Sequence, residues 1–439
     1  MTTRRPVPPV APPAIEPAYR SSAPDVAIRL ARGAITIDDG TLRARGRGGI
    51  DMTFRTGSRI EFRLRDRRPP RGYFADDAEL LVPSLGATAE ALVTNSAWSG
   101  RSTLHEGTVH HGLAFGTPSG LEGALAHVFN LRPLLGDPVL DSGGGIRRAR
   151  TVLQGGGWIV TLDALPEANA LARQMHAVGG HAITHVAKIE PEDGLPVDAA
   201  ALTDCLTVFG YLISFARGAW TFPALIVGYG SGVSRRWENW TDPRLRPWSG
   251  VVGWLDDDHP EALSKVFPQM WPIWRNPDQR PALVAGIALL MDASELVNLE
   301  SRVVLAQAGL ERLAWHRLVV EGRWTELKFE GTTAAQRIRG LMSASGVGPS
   351  IPASLRTLAR APELRSSKGH LPSDGPNFVV RVRNRTAHPP TSGPAFLPGP
   401  VVVGAWKLSL EYLQQALLAW LGYSGPVISP VIMGRSTFP

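Results

Sequence analysis

The chain has 439 residues with 44% hydrophobic content, enough for two or three cored domains at roughly 150 residues each. A formal net charge of +7, carried almost entirely by arginine, favours a polyanionic partner. Cys205, the one cysteine, excludes an internal disulfide and cysteine-based zinc sites, and no apolar run approaches a membrane span or a signal peptide, so a cytoplasmic protein with no membrane partner is expected.

Residues 1–24 are rich in Pro, Ala and Ser. Pro6, Pro8, Pro9, Pro12 and Pro13 remove donors and fix φ, which predicts a disordered tail. From Asp25, short runs alternate: Val26-Ile28-Leu30, Ile35-Ile37, Met52-Phe54 and Ile60-Phe62-Leu64 place apolar side chains two apart. Arg59, Glu61, Arg63 and Arg65 take the intervening positions. A charged solvent face accounts for them, and a strand presenting arginine to phosphate is the alternative. Further strands are expected at 80–82, 109–115, 127–131 and 158–162. Short strands with glycine-rich turns predict a mainly β, sandwich-like N-terminal domain over 25–270.

Gly143-Gly144-Gly145 and Gly155-Gly156-Gly157 flank a basic strand. Neither enters a helix as G-x-G-x-x-G, which excludes a dinucleotide site. A short helix at 167–176 and a strand at 181–190 follow. His110-His111 and the pair His181 and His185 suggest metal ligands. Yet Ile183, Thr184, Val186 and Ile189 make the latter stretch a strand, and H-E-x-x-H is absent. No metal or cofactor is expected.

Residues 198–217 form the first long helix. Leu202, Cys205, Leu206, Phe209, Leu212, Ile213 and Ala216 give a 3.6-residue stripe, with Asp198 as N-cap and Gly218 as stop. Strand-like runs at 222–229 and 250–254 flank Arg235-Arg236-Trp237-Glu238-Asn239-Trp240. Arginine beside tryptophan can neutralise and stack on single-stranded nucleic acid, which makes Arg235 and Arg236 candidate RNA contacts. Equally, a loop here packs its indoles on the sheet. The Pro- and Trp-rich residues 260–281 read as a segment that links the halves or packs between them.

From about Leu283 the period changes to that of a helix. Leu299, Val303, Ala306, Leu310 and Leu313 step by four and three, with Glu311 just beside the stripe. Shorter helices are expected at 334–343 and 352–360, a polar loop at 366–374, and a Pro/Gly loop at 391–400. A closing helix at 401–421 carries Val402, Trp406, Leu410, Leu413, Leu417 and Trp420 on one side, and 425–439 reads as a tail. The expected fold is therefore α+β and multidomain, with an all-α region over 280–424 after the β-rich one.

Within that region stands Arg383-Asn384-Arg385-Thr386-Ala387-His388, an R-N-x-x-x-H frame. A guanidinium presents a planar fork of donors that suits phosphate, and an imidazole moves a proton near neutral pH. The spacing alone is weak, since composition predicts roughly one chance R-x4-H. Arg365 and His370 supply such a pair in a Ser/Gly/Lys-rich loop without the asparagine. The other frame follows apolar Phe378, Val379, Val380 and Val382, precedes Pro389-Pro390, and on a helix places Asn384 and His388 on one face.

This segment and its neighbouring helices resemble the HEPN domains, specifically those of the ApeA-like group of bacterial anti-phage defence proteins. Residues 212–218 also resemble a stretch common in the N-terminal half of that group. The resemblance implies a helical bundle and a metal-independent endoribonuclease. His388 would be its acid or base, Arg383 would neutralise the phosphorane, and Asn384 would orient either of them. Arg385 joins the candidate RNA contacts. Glu311 either faces this centre or pairs with an arginine on the surface. The resemblance further implies a homodimer through the helical domain, RNA as substrate, and an N-terminal sensor of a phage-derived trigger. A non-cleaving binding module with a β domain that recognises a phage protein or carbohydrate is the alternative.

Overall fold

The computed structural model describes residues 11–55, 57–67, 72–250, 253–295, 298–366, 368–388 and 396–438. It is α+β, mainly β in the N-terminal part and helical in the C-terminal part. The chain forms two compact units, Met1–Thr207 with Thr221–Ser249, and Val208–Trp220 with Gly250–Pro439.

In the first unit, β1 (Ile28–Asp38), β2 (Arg43–Thr53), β3 (Arg59–Asp66), β4 (Ala78–Val82), β5 (Ala87–Trp98) and β6 (Thr103–Val109) close into a barrel in the order β1-β2-β3-β6-β5-β4. The expected sandwich gives way to this barrel because β4 pairs with β1 and leaves no edge. Inside–outside alternation is the same for a sheet closed on itself as for two facing sheets. Ile35, Ile37, Ala44, Ile50, Phe62 and Leu64 fill the interior. Gly46 faces the same way, and a Cβ there would lie 1.9 Å from the carbonyl oxygen of Arg65. Its hydrogen lets β2 approach β3 closely as the sheet coils.

An antiparallel sheet follows, ordered β7-β14-β13-β8-β12-β11-β10-β9. Its strands are β7 (Leu113–Gly116), β8 (Gly123–Phe129), β9 (Asp137–Leu140), β10 (Ile146–Gly155), β11 (Trp158–Ala164), β12 (Ile183–Pro191), β13 (Ala224–Tyr229) and β14 (Arg235–Trp240). The expected run 109–115 is thus two strands with a turn at His110-His111. Phe129, Val139, Ile183 and Val186 of this sheet share one core with the barrel. The Arg235–Trp240 stretch is a strand of the sheet rather than a loop against it.

Two helices follow in chain order, α1 (Ala168–Val178) in the first unit and α2 (Ala199–Arg217), which passes from the first unit into the second at Val208. Asp198 Oδ1 accepts from the Ala201 amide at 2.8 Å, and Gly218 takes a φ of 82° at the other end, so both helix boundaries are as expected. By length and composition α2 could cross a membrane, and 61% of its apolar window is buried in the fold. Cys205 is fully buried, and burial pushes its thiol up.

The N-terminal residues from 11 onward are not a loose tail, and residues 1–10 lie outside the described residues. Proline cannot donate but still accepts. The Leu140 amide donates to Pro12 O and the Ala14 amide to Leu140 O, each at 2.9 Å, so the segment pairs with edge strand β9. The Ile15 amide reaches Asp163 at 2.9 Å, and the Tyr19 hydroxyl reaches Glu238 at 2.6 Å.

The second unit contains α3 (Glu261–Arg275), α4 (Arg280–Ser294), α5 (Leu299–Trp315), α6 (Glu326–Glu330), α7 (Ala334–Ala344), α8 (Gly375–Ala387) and α9 (Gly399–Trp420). The expected linker at 260–281 is largely α3, helical through Pro268 and Pro272 because Leu263, Val266, Phe267, Met270, Trp271 and Trp274 bury one side. Residues 352–360 hold only short 3₁₀ turns. Gly253 and Trp254 are not strand, and residues 251–252 of that expected run lie outside the described residues. The expected tail is a hairpin, β15 (Gly425–Ser429) with β16 (Gly434–Phe438). It is held to α9 by Gln414 Nε2 donating to Ile428 O at 3.0 Å and by Glu411 accepting from the Val431 amide at 3.1 Å.

Candidate functional site

The R-N-x-x-x-H frame ends α8. That helix starts on Asp374, whose Oδ1 accepts from the Asn377 amide at 2.9 Å and whose Oδ2 accepts from Arg339 Nη2 on α7 at 2.6 Å. Phe378, Val379 and Val382 are fully buried and fix its rotation. Gly375 is required at its first turn, since a Cβ there would meet the Tyr412 hydroxyl at 1.9 Å.

At the other end, Arg383 is half-buried, Arg385 likewise, and Asn384 and His388 are exposed. Arg383 Nη1 donates to Asn384 Oδ1 at 3.3 Å, while its buried Nε has no acceptor among the described residues. His388 caps the helix with φ −131° and ψ 93°, and its amide donates to the Asn384 carbonyl at 2.9 Å. The imidazole has no side-chain partner among the described residues. One asparagine oxygen thus meets arginine, and its Nδ2 is left to donate. The expected loop partners Pro389-Pro390 and residues 391–395 lie outside the described residues.

Glu311 sits on α5 beside α7. It accepts from Gln307 Nε2 at 2.8 Å and lies 3.9 Å from Arg337 of α7. Arg235 and Arg236 border a pocket of about 230 Å³ with Phe115 and Trp237. Arg235 is paired there with Glu238 at 3.2 Å, and Arg236 donates to Gly120 O at 3.3 Å. Trp237 and Trp240 are buried, so the indoles pack rather than stack outward.

The histidines are dispersed. His127 is fully buried, with Nδ1 on Leu225 O at 2.8 Å and Nε2 accepting the Tyr19 amide at 3.0 Å, and burial pushes it down to about 4. His185 is lowered by burial and by Arg147 to about 3. Among the described residues no three His, Cys, Asp or Glu side chains gather as a metal site would need.

On the barrel, the β3 arginines expected from the sequence have neighbours on β2 that it did not single out. Arg43, Arg45 and Arg47 alternate along the exposed face of β2, and Arg65 and Arg67 extend it on β3. They line a cleft of about 960 Å³ with Ala34, Gly46 and Asp66. Arg43 lies 3.6 Å from Asp38. Arg45, Arg47, Arg65 and Arg67 make no ion pair among the described residues, and the remaining residues of the sequence include no Asp or Glu.

Residues 118–251 match the family model described as the YopA central domain, and residues 276–429 that of the YopA C-terminal domain. The chain is similar to YopA. It is 24% identical over 301 residues to the SPbeta prophage-derived uncharacterized protein YopA of Bacillus subtilis (strain 168). That alignment covers 66% of this chain and 65% of the relative, so the chain spans just under two thirds of the length of the curated relative it matches. No solved structure matches. The α8 frame falls in the YopA C-terminal match, whose description names no HEPN domain, and the barrel precedes both matched ranges.

Proposed function

We propose that the chain is a metal-independent endoribonuclease of the HEPN type, with α4–α9 as its bundle. The observation that carries this reading is the half-buried guanidinium of Arg383 on the same helix end as the exposed imidazole of His388. RNA supplies its own nucleophile. His388 removes the 2′-hydroxyl proton or protonates the leaving 5′-oxygen. Arg383 stabilises charge on the phosphorane, and Asn384 Nδ2 orients the imidazole or the phosphate. The products are a 2′,3′-cyclic phosphate and a 5′-hydroxyl.

One chain offers one such histidine, so two copies pair through the helical part to complete the centre. The proposed setting is the bacterial cytoplasm, in conflict between phage and host, with the N-terminal unit as sensor of a phage-derived trigger. The prophage-derived relative supports that setting.

A second reading has its own support. Glu311 is committed to Gln307 and Arg337, which fits a non-cleaving binding or dimerisation module. Cleavage of labelled RNA in EDTA, with end-group analysis and with phage infection of the host as the activating condition, separates the two. Cutting to cyclic phosphate ends that disappears in His388→Ala is expected. Wild type that never cuts, infected or not, leaves the binding module as the function.

A further inference from the structure

One end of the barrel gathers a serine, a histidine and an aspartate on its inward face. On β5, buried Ala91 and core-packed Val93 lie opposite Val109 and Gly107 of β6. Thr94 is then the extra residue of a β-bulge, and beyond it Ser96 lies opposite His105 and Trp98 opposite Thr103. One added residue exchanges the two faces of a strand. Ser96 and Trp98 therefore turn inward, where the alternation set by Ala91 and Val93 would have turned them out. On β3, Leu64 lies opposite His105 and Asp66 opposite Thr103, so Asp66 is the diagonal neighbour of His105.

Burial divides the roles. Ser96 Oγ lies 2.8 Å from His105 Nδ1. His105 is 3% exposed, and Phe74 meets it edge-on with ring centroids 5.4 Å apart, so the imidazole is held still. Ser96 is open to solvent. Burial pushes the imidazole below its ordinary value against the pull of Asp66, so the ring is neutral at pH 7. In the tautomer protonated at Nε2, Nδ1 accepts from the serine hydroxyl. Nε2 makes no hydrogen bond among the described residues, so Asp66, itself buried, acts on the ring by its charge.

Backbone donors stand beside the hydroxyl. Opposite residues of an antiparallel pair alternate between bonding each other and turning away. The Ser99 amide donates to Ser102 O at 2.9 Å, which sets the phase and turns the Trp98 and Ser96 amides away from β6. On their side β4 accompanies β5 only over Ala87–Ala91, so the barrel is open there and neither amide has a ladder partner among the described residues. Two free N–H groups next to a nucleophile suit a developing oxyanion. Trp98 is 73% exposed on the face of Ser96 and offers an apolar surface. A buried carboxylate beside the imidazole disfavours an anionic substrate.

We propose that this open end of the barrel is a serine esterase site for neutral carboxylic esters with an apolar part, with Ser96 as nucleophile, His105 as base and then acid, and Asp66 as a positioning residue that acts through His105. Ser96 Oγ bonds to the ester carbonyl carbon as its proton passes to His105 Nδ1. The carbonyl oxygen gathers charge against the Ser96 and Trp98 amides. The carbon–oxygen bond to the alcohol breaks, and the alcohol leaves with the proton from Nδ1. Water then adds to the acyl carbon, giving its proton to Nδ1. The bond to Oγ breaks, the proton returns to Ser96, and a carboxylic acid is released. This site is independent of the nuclease reading.

The test uses the full chain, a fluorophosphonate probe and p-nitrophenyl butyrate. Wild type should be labelled, with the phosphonyl group found on Ser96 by peptide mass spectrometry, and should release p-nitrophenol. Ser96→Ala should lose the label and the turnover without a shift in its circular dichroism melt. Ser99→Ala, at an exposed serine three residues on, should match wild type. His105→Gln should lower kcat by about 10²–10⁴. Asp66→Asn should lower kcat with KM held. Since His105 and Asp66 are buried, Ser96→Cys reads the imidazole without altering it. Its thiol should react with iodoacetamide at pH 7 about tenfold faster than that of Ser99→Cys, because the neighbouring ring draws off its proton. Any of four results overturns the proposal: wild type that neither labels nor turns over ester, a label on another serine, wild-type turnover in Ser96→Ala, or thiols at 96 and 99 that react alike.

Discussion

Arg43, Arg45 and Arg47 on β2 and Arg381, Arg383 and Arg385 on α8 have the same R-x-R-x-R spacing and opposite fates. On the strand, residues two apart point the same way, so three guanidiniums form one exposed row and a neighbouring strand doubles it. On the helix, two residues turn the side chain through more than half a circle, and the three separate. Arg381 turns to the carbonyls of Leu364 and His370, Arg383 to Asn384, and Arg385 stays half-buried. A row suits a long polyanion held at many points. A dispersed set, one member beside an imidazole, suits a single phosphate.

The sharpest way to break this contrast is chemical. His388→Ala and Arg383→Ala are each expected to lower RNA cleavage in EDTA by about 10²–10⁴, with melting temperature nearly unchanged. Arg365→Ala and His370→Ala should leave it intact.

Acid separates the regions next. His127 and His185 are neutral in the fold, with values lowered from 6.5 to about 4 and about 3. The unfolded chain takes up these protons as pH falls below about 6.5, the fold does not, and stability drops. The loss should grow from pH 6.5 down to about 3–4 and then level off, on the order of a few kcal/mol in all. Urea titrations across that range, with His127→Gln as comparison, check it. A flat profile would show that these rings titrate normally.

Gly46→Ala forces a methyl against the Arg65 carbonyl and should lower stability by roughly 1–3 kcal/mol. Thermal melting of the variant against wild type reads the loss. The smallest effect is Tyr19→Phe, which removes a hydroxyl that donates to Glu238 and accepts from Trp240 Nε1 at 3.0 Å. A loss of about 1–2 kcal/mol, read by thermal melting, is expected.

The change from strand to helix period was legible, and so were both limits of α2, the stripe of α5 and the span of α9, because each depends on local pattern alone. The β2 strand was not. Its inward positions are Ala44, Gly46 and Gly48, too small to register as a hydrophobic alternation, and so its outward arginines went unremarked. Barrel closure depends on β1 meeting β4, a pairing no local run encodes. In α3, buried tryptophans outweigh two internal prolines, and in residues 11–24 proline carbonyls do the pairing that their missing amides deny. For the α8 frame, spacing, helix and stop were all readable. What was not readable is that Asn384 meets Arg383 and that Glu311 meets Arg337, since both depend on rotamers and on α7.

The fastening of the N-terminal segment sets an order on synthesis. Tyr19 leaves the ribosome early, but Glu238 and Trp240 are made 219 and 221 residues later. At roughly 5–20 residues per second, that is a wait of about 10–45 s. During it the finished barrel strands can pair, and the segment from residue 11 can already be held at His127, Leu140, Arg150, Asp163 and Ile183, leaving only the Tyr19 hydroxyl without its partners. The nascent chain thus begins its own fastening before β14 is made and completes it only when that strand arrives.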